Sequence, residues 1–308
     1  MIIAHRGASG YRPEHTRAAY ELAYRMGAEW VDVDLVVSAD GHLIARHENE
    51  LGHTTDVAQH PEFADRRTSK TVTGKKYTGW FTEDFTLAEL KTLRATERLP
   101  RLRQANTLYD GRYELLTLRE VLDIVGRLET ELNRELGISP EVKHAAYFTE
   151  IGLPIEPRLV AALRERELAS AGAPVVIQAF EQQSLRALQP QLDVPLLQLT
   201  QHEYPDTAEI AQYADYVGAE KRLVIDRDKH DKLGEPSQLV TDAHRAGLQV
   251  LVWTFRNENT FLPAELRTGR NDADVGNVFA EYAAYRAAGA DGFVSDHPDT
   301  ALEATSTP

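Results

Sequence analysis

Three acidic residues lie in segments that otherwise read as buried β-strands. Asp32 and Asp34 alternate within the apolar run Trp30–Val37, and Glu141 lies in a second run, Ile138–Lys143. Side chains two positions apart on a strand point to the same face, so both aspartates should face one side of a sheet. Buried carboxylates are costly unless a cation or hydrogen bonds compensate them. Together the three predict a hard oxygen site for one divalent cation, Ca²⁺ or Mg²⁺.

Basic and titratable side chains come at the ends of the same or neighbouring strands. His5 and Arg6 follow the apolar run Ile2–Ala4, His47 follows the next short run after the aspartates, and Lys143 ends the strand of the glutamate. Arginine binds phosphoryl oxygens as a fork and lysine as a point charge. Histidine titrates near neutral pH and can act as acid or base. Taken one at a time, a histidine could be structural, the Arg-Gly pair could form only a turn, and the alternating aspartates could lie on a solvated edge. Their occurrence together at four strand ends favours phosphate-ester chemistry.

Short β-rich runs alternate with helical patterns along most of the chain. This alternation predicts a parallel sheet, and about eight such units in a chain of this length favour a closed (β/α)8 TIM barrel, an α/β fold. The predicted strands are Ile2–Ala4, Trp30–Val37, Leu43–Ala45, Ile138–Lys143, Val175–Ala179, Pro195–Leu199, Ala214–Gly218, Val250–Phe255 and Gly292–Ser295, and the predicted helices are Arg17–Met26, Leu118–Leu128, Glu156–Leu168, one from Glu181, Ser237–Ala246 and Asn277–Ala288. Catalytic residues of barrel enzymes lie at the C-terminal strand ends.

The stretch Gly52–Glu114 interrupts this alternation. It is rich in Thr, Asp, Lys, Arg and Gly and has one clear helical pattern, near Leu87–Leu93. Aromatic residues are interleaved in it, whereas disordered segments are poor in them. We therefore interpret residues 1–308 as a single barrel domain, with residues 52–114 inserted after the third strand and lying over the barrel mouth. A partly disordered surface loop is the alternative.

Composition narrows the class of partner. The formal net charge of −14 argues against nucleic acid, which needs a basic face, but a bound cation can still attract a small anionic substrate. The absence of cysteine excludes disulfides and thiolate catalysis. No apolar run approaches the roughly 20 residues of a membrane-spanning helix. The residues as given favour the cytoplasm, or the periplasm or secretion if a leader has been removed, and they do not specify an oligomeric state.

The ordered motifs resemble the glycerophosphodiester phosphodiesterase family. They are His5-Arg6-Gly7-Ala8-Ser9-Gly10, Pro13-Glu14-His15-Thr16, Gly27-Ala28, Asp32-Val33-Asp34-Leu35, Asp40-Gly41, His47, Thr54-Thr55, Pro140-Glu141-Val142-Lys143, Ile177-Gln178-Ala179-Phe180, Trp253-Thr254-Phe255 and Ser295-Asp296-His297-Pro298. The resemblance covers nearly the whole chain. It is closest to the bacterial, often secreted or periplasmic, subgroup, which carries an insertion after the third strand.

The resemblance implies a TIM barrel that hydrolyses glycerophosphodiesters to glycerol 3-phosphate and an alcohol such as choline or ethanolamine. It implies an acid/base pair (His5, His47), metal ligands (Asp32, Asp34, Glu141), phosphate ligands (Arg6, Lys143), pocket aromatics (Phe180, Trp253) and a supporting acid behind the loop after the first strand (Glu14). Phe180 and Trp253 could equally be core residues, and Glu14 an exposed loop acid. The family usually has Glu where this chain has Asp32, which bears on metal affinity and metal identity.

Three other functions fit part of this pattern. A lysophospholipid phosphodiesterase or a phospholipase D-like enzyme would share the fold and would need an apolar cleft beside the metal. A binding protein that has lost turnover would fit the Asp32 departure, although the retained histidines and Arg6 argue against it. A glycosidase could use paired carboxylates on a barrel, but it would have no use for the histidine and arginine set.

Overall fold

The computed structural model describes residues 1–306 and consists of short strands and helices in alternation. The strands are β1 (Ile2–Ala4), β2 (Trp30–Val37), β3 (Leu43–Ala45), β4 (Thr68–Val72), β5 (Lys75–Gly79), β6 (Gly137–Val142), β7 (Ile177–Ala179), β8 (Leu196–Thr200), β9 (Tyr216–Glu220), β10 (Ile225–Arg227), β11 (Leu233–Pro236), β12 (Gln249–Phe255) and β13 (Gly292–Ser295). The helices are α1 (Arg17–Arg25), α2 (Leu87–Leu90), α3 (Leu118–Leu132), α4 (Ala145–Glu150), α5 (Glu156–Glu165), α6 (Gln182–Leu188), α7 (Thr207–Ile210), α8 (Lys221–Val224), α9 (Leu239–Arg245), α10 (Val278–Ala287) and α11 (Pro298–Ser306). Short 3₁₀ segments occur at Val57–Gln59, Pro61–Arg66, Thr82–Asp84, Gln104–Tyr109, Asn259–Phe261 and Ala264–Leu266.

Eight parallel strands close into a barrel. Their order is β1, β13, β12, β9, β8, β7, β6 and β2, and β2 pairs with β1 to complete the ring. The intervening helices lie outside this ring. The predicted (β/α)8 TIM barrel is therefore confirmed, although β9 begins two residues later than the predicted Ala214.

Local sequence explains why the helices begin where they do. The Thr16 side chain accepts a hydrogen bond from the Ala19 amide at the start of α1. Thr117 and Glu120 form a reciprocal capping box at the start of α3, as their spacing predicts. Helix α1 packs against β2, α3 packs against β3, and the two helices pack against each other, so these caps help to set the position of the barrel wall that carries the aspartates.

The sequence predicts that the third strand continues the parallel sheet, and this prediction is wrong. β3 is antiparallel to β2, with Leu35 opposite Ala45 and Val37 opposite Leu43. It lies outside the eight-strand ring, on the extended end of β2. Five residues link the two strands, and such a short link permits a hairpin but not a parallel crossover. The hairpin returns the chain to the level of Asp34, and this return places His47 at the barrel mouth.

The segment 52–114 packs against the barrel and carries regular structure of its own. Strands β4 and β5 form an antiparallel hairpin. A 3₁₀ segment precedes the hairpin, and a second 3₁₀ segment and helix α2 follow it. Five of its apolar side chains belong to the main hydrophobic core: Val57, Phe63, Phe85, Leu90 and Leu93. These residues are almost fully buried, so the segment is anchored to the barrel by hydrophobic contact. Across residues 1–306, none of the helices has both the length and the hydropathy needed to traverse a bilayer.

Candidate active site

The three acidic residues meet on two adjacent barrel strands. β2 pairs with β6 so that Asp34 lies directly opposite Glu141, and Asp32 lies one step below on the same face. One oxygen of each of the three carboxylates falls within 4.8 Å of the others, and all three side chains are buried. This arrangement brings together the predicted ligand set at the C-terminal ends of the strands.

The donor set fits a divalent cation. Burial, with the neighbouring Asp34 and Glu141 carboxylates, raises the pKa of Asp32 well above its usual value. Burial and Asp34 also raise the pKa of Glu141 to about 8, although Lys143 opposes this rise. Asp34 Oδ1 is buried without a hydrogen-bond partner within residues 1–306. A cation would supply that partner and allow all three carboxylates to remain ionised.

Hydrogen bonds hold the two aspartates in fixed orientations. Asp32 Oδ1 accepts from Gln178 Nε2 at 2.5 Å, and Asp32 Oδ2 accepts from the Arg6 amide at 3.2 Å. Asp34 Oδ2 accepts from His15 Nε2 at 2.9 Å. Partners behind the ligands fix the direction of the lone pairs that remain available to a metal.

Arg6 lies on a sharply turned loop directly after β1. Its φ is +58°, and that of Gly7 is +81°, where a Cβ would lie only 2.6 Å from the Ala19 carbonyl carbon. Glycine is therefore required at the second position, because it alone tolerates both the φ and the close approach. The Arg6 guanidinium is ion-paired with Glu14 at 3.0 Å and with Asp34 at 3.3 Å. Glu14 is itself buried, as expected for a supporting acid and not for an exposed one.

His5 is paired with an acid from the last strand end. His5 Nδ1 lies 2.5 Å from Asp296 Oδ1. Although burial disfavours the Asp296 carboxylate, Arg256, Arg103 and His5 hold its pKa well below the usual range. An ionised carboxylate only accepts, so His5 carries its proton on Nδ1 and has a free lone pair on Nε2. Burial, with the nearby Arg6, lowers the pKa of His5 to about 4, against the opposing effect of Asp296.

His47 has the same kind of partner on the other side of the site. Its Nδ1 lies 2.5 Å from Glu48 Oε1. Burial, followed by the positive charges of Arg6 and Lys143, lowers the pKa of His47 to about 3, although Glu48 raises it. Both rings are therefore neutral near pH 7, with Nδ1 tied to a carboxylate and Nε2 available as a base. A bound phosphodiester anion would raise the pKa of each and favour the imidazolium that a general acid needs.

One cavity of about 620 Å³ unites these groups at the barrel mouth. Most of the predicted site residues line it: His5, Arg6, Asp32, His47, Glu141, Lys143, Phe180 and Trp253. Asp34 and Glu14 lie behind this surface. The Phe180 and Trp253 rings meet edge to face with centroids 5.7 Å apart, and Phe180 is 40% exposed. An aromatic ring so exposed is a wall of the cavity and not a core residue.

Comparison with known proteins agrees with this geometry. A model of the glycerophosphoryl diester phosphodiesterase family matches residues 5–300. The chain belongs to this family. Members of the family are hydrolases, and the protein is accordingly an enzyme of the phosphodiester hydrolase class.

Two named relatives and one solved structure are similar to this chain. A glycerophosphodiester phosphodiesterase of Arabidopsis thaliana is 35% identical over 291 residues, which cover 85% of this chain and 76% of that protein. A glycerophosphodiester phosphodiesterase of Haemophilus influenzae is 26% identical, over 98% of this chain and 89% of its own length. The structure of an Oleispira antarctica phosphodiesterase, in complex with the product sn-glycerol-3-phosphate, shares the fold with a TM-score of 0.65 and 21% identity, covering 100% of this chain and 97% of that one.

Several residues of this phosphodiesterase site were not assigned by the sequence prediction. Asp296, Gln178 and His15 belong to motifs that carried the family resemblance, but their contacts depend on the closure of the barrel. Arg98 and Arg103 lie in the irregular segment 52–114, which has no periodicity that indicates an inward-facing position. Arg103 donates to Asp296 Oδ2 at 2.6 Å, behind His5.

Asp296→Asn should lower kcat by roughly 10- to 100-fold, the usual scale for a partner that orients a functional histidine. An amide can still accept a hydrogen bond, but it no longer stabilises an imidazolium and it can support the wrong tautomer. Asp299→Asn, in the first turn of α11, changes an acid that accepts from the Tyr11 hydroxyl and not from a histidine; it serves as the control and should keep kcat. Steady-state kinetics on the two variants decide the matter; equal activity of both would remove Asp296 from the His5 pair.

Proposed function

We propose that the protein hydrolyses glycerophosphodiesters to glycerol 3-phosphate and an alcohol, using one divalent cation and a pair of histidines. The observation that carries the proposal is one cavity lined by His5, Arg6, His47 and two carboxylates of the triad, in a chain of this family. The third carboxylate, that of Asp34, lies within 4.8 Å of the other two. The names of the relatives, and the product in the Oleispira antarctica structure, support the choice of substrate.

Asp32, Asp34 and Glu141 would hold the cation, either Ca²⁺ or Mg²⁺. A bound cation of this kind neutralises a phosphate and stabilises the charge that develops on it. Arg6 and Lys143 would bind the remaining phosphoryl oxygens through their positive charges. Lys143 Nζ lies 2.7 Å from Glu141 Oε1 and faces the same cavity, so its position is set by a ligand of the cation.

The two histidines share the proton transfers. One ring accepts the proton of the attacking water on its free Nε2. The other ring is protonated because the bound phosphodiester anion raises its pKa, and it donates a proton to the oxygen of the departing alcohol. Asp296 and Glu48 stabilise the imidazolium at Nδ1 in each case. The edge-to-face pair Phe180 and Trp253 forms an apolar wall for the glycerol or alcohol moiety.

The test is a panel assay for release of glycerol 3-phosphate. Glycerophosphocholine, glycerophosphoethanolamine and glycerophosphoglycerol are compared with lysophospholipid micelles, each with added Ca²⁺, Mg²⁺ or Mn²⁺. The proposal requires glycerol 3-phosphate from at least one water-soluble diester. Turnover confined to micelles would indicate a lysophospholipid or phospholipase D-like enzyme, and binding without any turnover would indicate a binding protein.

The segment 52–114 is assigned the role of shaping substrate preference at the mouth of a single barrel domain. Thr73, at the tip of the β4–β5 hairpin, lies 2.9 Å from His144 Nδ1 through its hydroxyl. Both residues line the cavity. Loops at this end of a barrel commonly determine specificity.

Shortening that hairpin should change the preference among diesters and leave the barrel folded. Replacing Thr71–Lys76 by Asn-Gly keeps a two-residue turn between Lys70 and Tyr77, which already face each other. We expect the ratio of kcat/KM between large and small alcohol groups to rise by up to about tenfold, because one wall of the cavity is removed. Thr73→Ala, which removes only the hydroxyl contact, is the milder control. If the kcat/KM ratios are identical in both variants and in the unaltered protein, the hairpin does not determine substrate preference.

A further inference from the structure

Arg98 connects the two halves of the active site, and it comes from the segment 52–114. Its guanidinium donates to both oxygens of Glu14, from Nε at 2.7 Å and from Nη2 at 2.6 Å. It also donates to both oxygens of Glu48, from Nη1 at 3.0 Å and from Nη2 at 2.5 Å. One planar group thus bonds two carboxylates at once, which is a geometry that lysine cannot reproduce.

Each of these carboxylates supports a different functional side chain. Glu14 accepts from Arg6 Nη1 at 3.0 Å, on the loop after β1. Glu48 accepts from His47 Nδ1 at 2.5 Å, on the loop after β3. An unbroken chain of charge-assisted hydrogen bonds therefore runs from Arg6 through Glu14, Arg98 and Glu48 to His47. We infer that Arg98 is a positioning residue that fixes His47 relative to the phosphate-binding Arg6.

Charge and burial make this chain sensitive to the loss of Arg98. Glu14 is almost fully buried, and the Glu48 side chain is only 21% exposed. Although burial opposes ionisation, His47 and Arg98 lower the pKa of Glu48, and Arg6 and Arg98 lower that of Glu14. Without Arg98, two partly desolvated carboxylates face each other with one fewer cation. Glu48 is then free to move from His47 towards solvent or towards another cation.

The position of Arg98 also allows a specific rescue experiment. Its side chain is 23% exposed, so truncation leaves an opening that solvent can reach. A guanidinium ion has the same planar donors and could restore both carboxylate contacts. A residue needed only for folding would not be replaced in this way by a small solute.

The inference rests on the proposed role of His47, and the test separates the two. Arg98→Ala should lower kcat by roughly 10- to 100-fold with a smaller change in KM, and Arg98→Lys should be intermediate. Millimolar guanidinium should recover part of the Arg98→Ala loss, whereas methylammonium should not. Arg101→Ala is the matched control: it removes an exposed arginine of the same segment and should retain wild-type kcat. In a Glu48→Gln background the effect of Arg98→Ala should shrink, because the two residues act through one path.

A second readout does not need turnover. The short His47–Glu48 hydrogen bond should give a downfield proton resonance in NMR spectra, identified by its disappearance in His47→Ala. Arg98→Ala should shift or abolish this resonance, and Arg101→Ala should not. Wild-type kcat in Arg98→Ala, or a loss of activity with no guanidinium rescue and an unchanged resonance, would overturn the inference. If the unaltered protein cleaves no diester, the proposed function fails, and the resonance alone decides the positioning role.

Discussion

His5→Ala and His47→Ala are each expected to reduce kcat by about 10²-fold or more, the usual scale for a lost general acid or base. Each ring has Nδ1 bonded to a carboxylate and lines the cavity. Alanine removes the proton carrier and leaves the charged partner without its hydrogen bond. Steady-state assays of glycerol 3-phosphate release measure the effect.

A fold-dependent loss must be separated from a chemical one. Both rings lie at the barrel mouth and outside the hydrophobic core clusters, so the Tm of each variant should stay close to that of the unaltered protein. His42→Ala, on the exposed turn between β2 and β3, is the control for the loss of an imidazole. Near wild-type turnover in His5→Ala or His47→Ala would exclude that histidine from the mechanism.

Exhaustive chelation is expected to abolish activity, with a fall of at least about 10²-fold, because a Lewis acid contributes several kcal/mol to phosphoryl charge stabilisation. Without a cation, the buried triad shares protons, as the raised pKa values of Asp32 and Glu141 indicate. Adding back Ca²⁺ or Mg²⁺ should restore turnover. Full activity after chelation, with the metal content verified by elemental analysis, would exclude metal dependence.

Variants of Asp32 test which cation the site prefers. Relative to Glu, Asp withdraws the carboxylate by roughly 1.5 Å, about one carbon–carbon bond. Ca²⁺ tolerates longer and less regular contacts than Mg²⁺, so Asp32 suits Ca²⁺ directly or Mg²⁺ through water. Asp32→Glu should remain active and shift the preference towards Mg²⁺, whereas Asp32→Ala should lose most activity. Wild-type metal binding and turnover in Asp32→Ala would remove this residue from the ligand set.

Much of the barrel and its acidic centre can be predicted from short-range patterns. The alternation of strands and helices indicates a closed barrel, and the two-residue period of β2 places Asp32 and Asp34 on one face. The register of β2 against β6 then brings Glu141 opposite Asp34, as expected for neighbouring strands of one ring. These features depend on local geometry, which is encoded within a few residues.

The direction of β3 depends on the length of its link to β2 and not on the residues of the strand itself. A run of three apolar residues has no feature that distinguishes a parallel from an antiparallel strand. The short link from β2 favours a hairpin, and the structure has one. His47 reaches the mouth because of this reversal and not because a third parallel strand ends there.

The sequence by itself determined the fold class, the family and the side chains that could do the chemistry, because these follow from local periodicity and from motifs of adjacent residues. Only the tertiary structure decided which groups support them. Asp296 joins His5 across 291 positions of the chain when β13 closes against β1. Arg98 reaches Glu14 and Glu48 from an irregular segment. Such contacts depend on how distant segments of the chain pack together, and a local pattern of residues does not predict that packing.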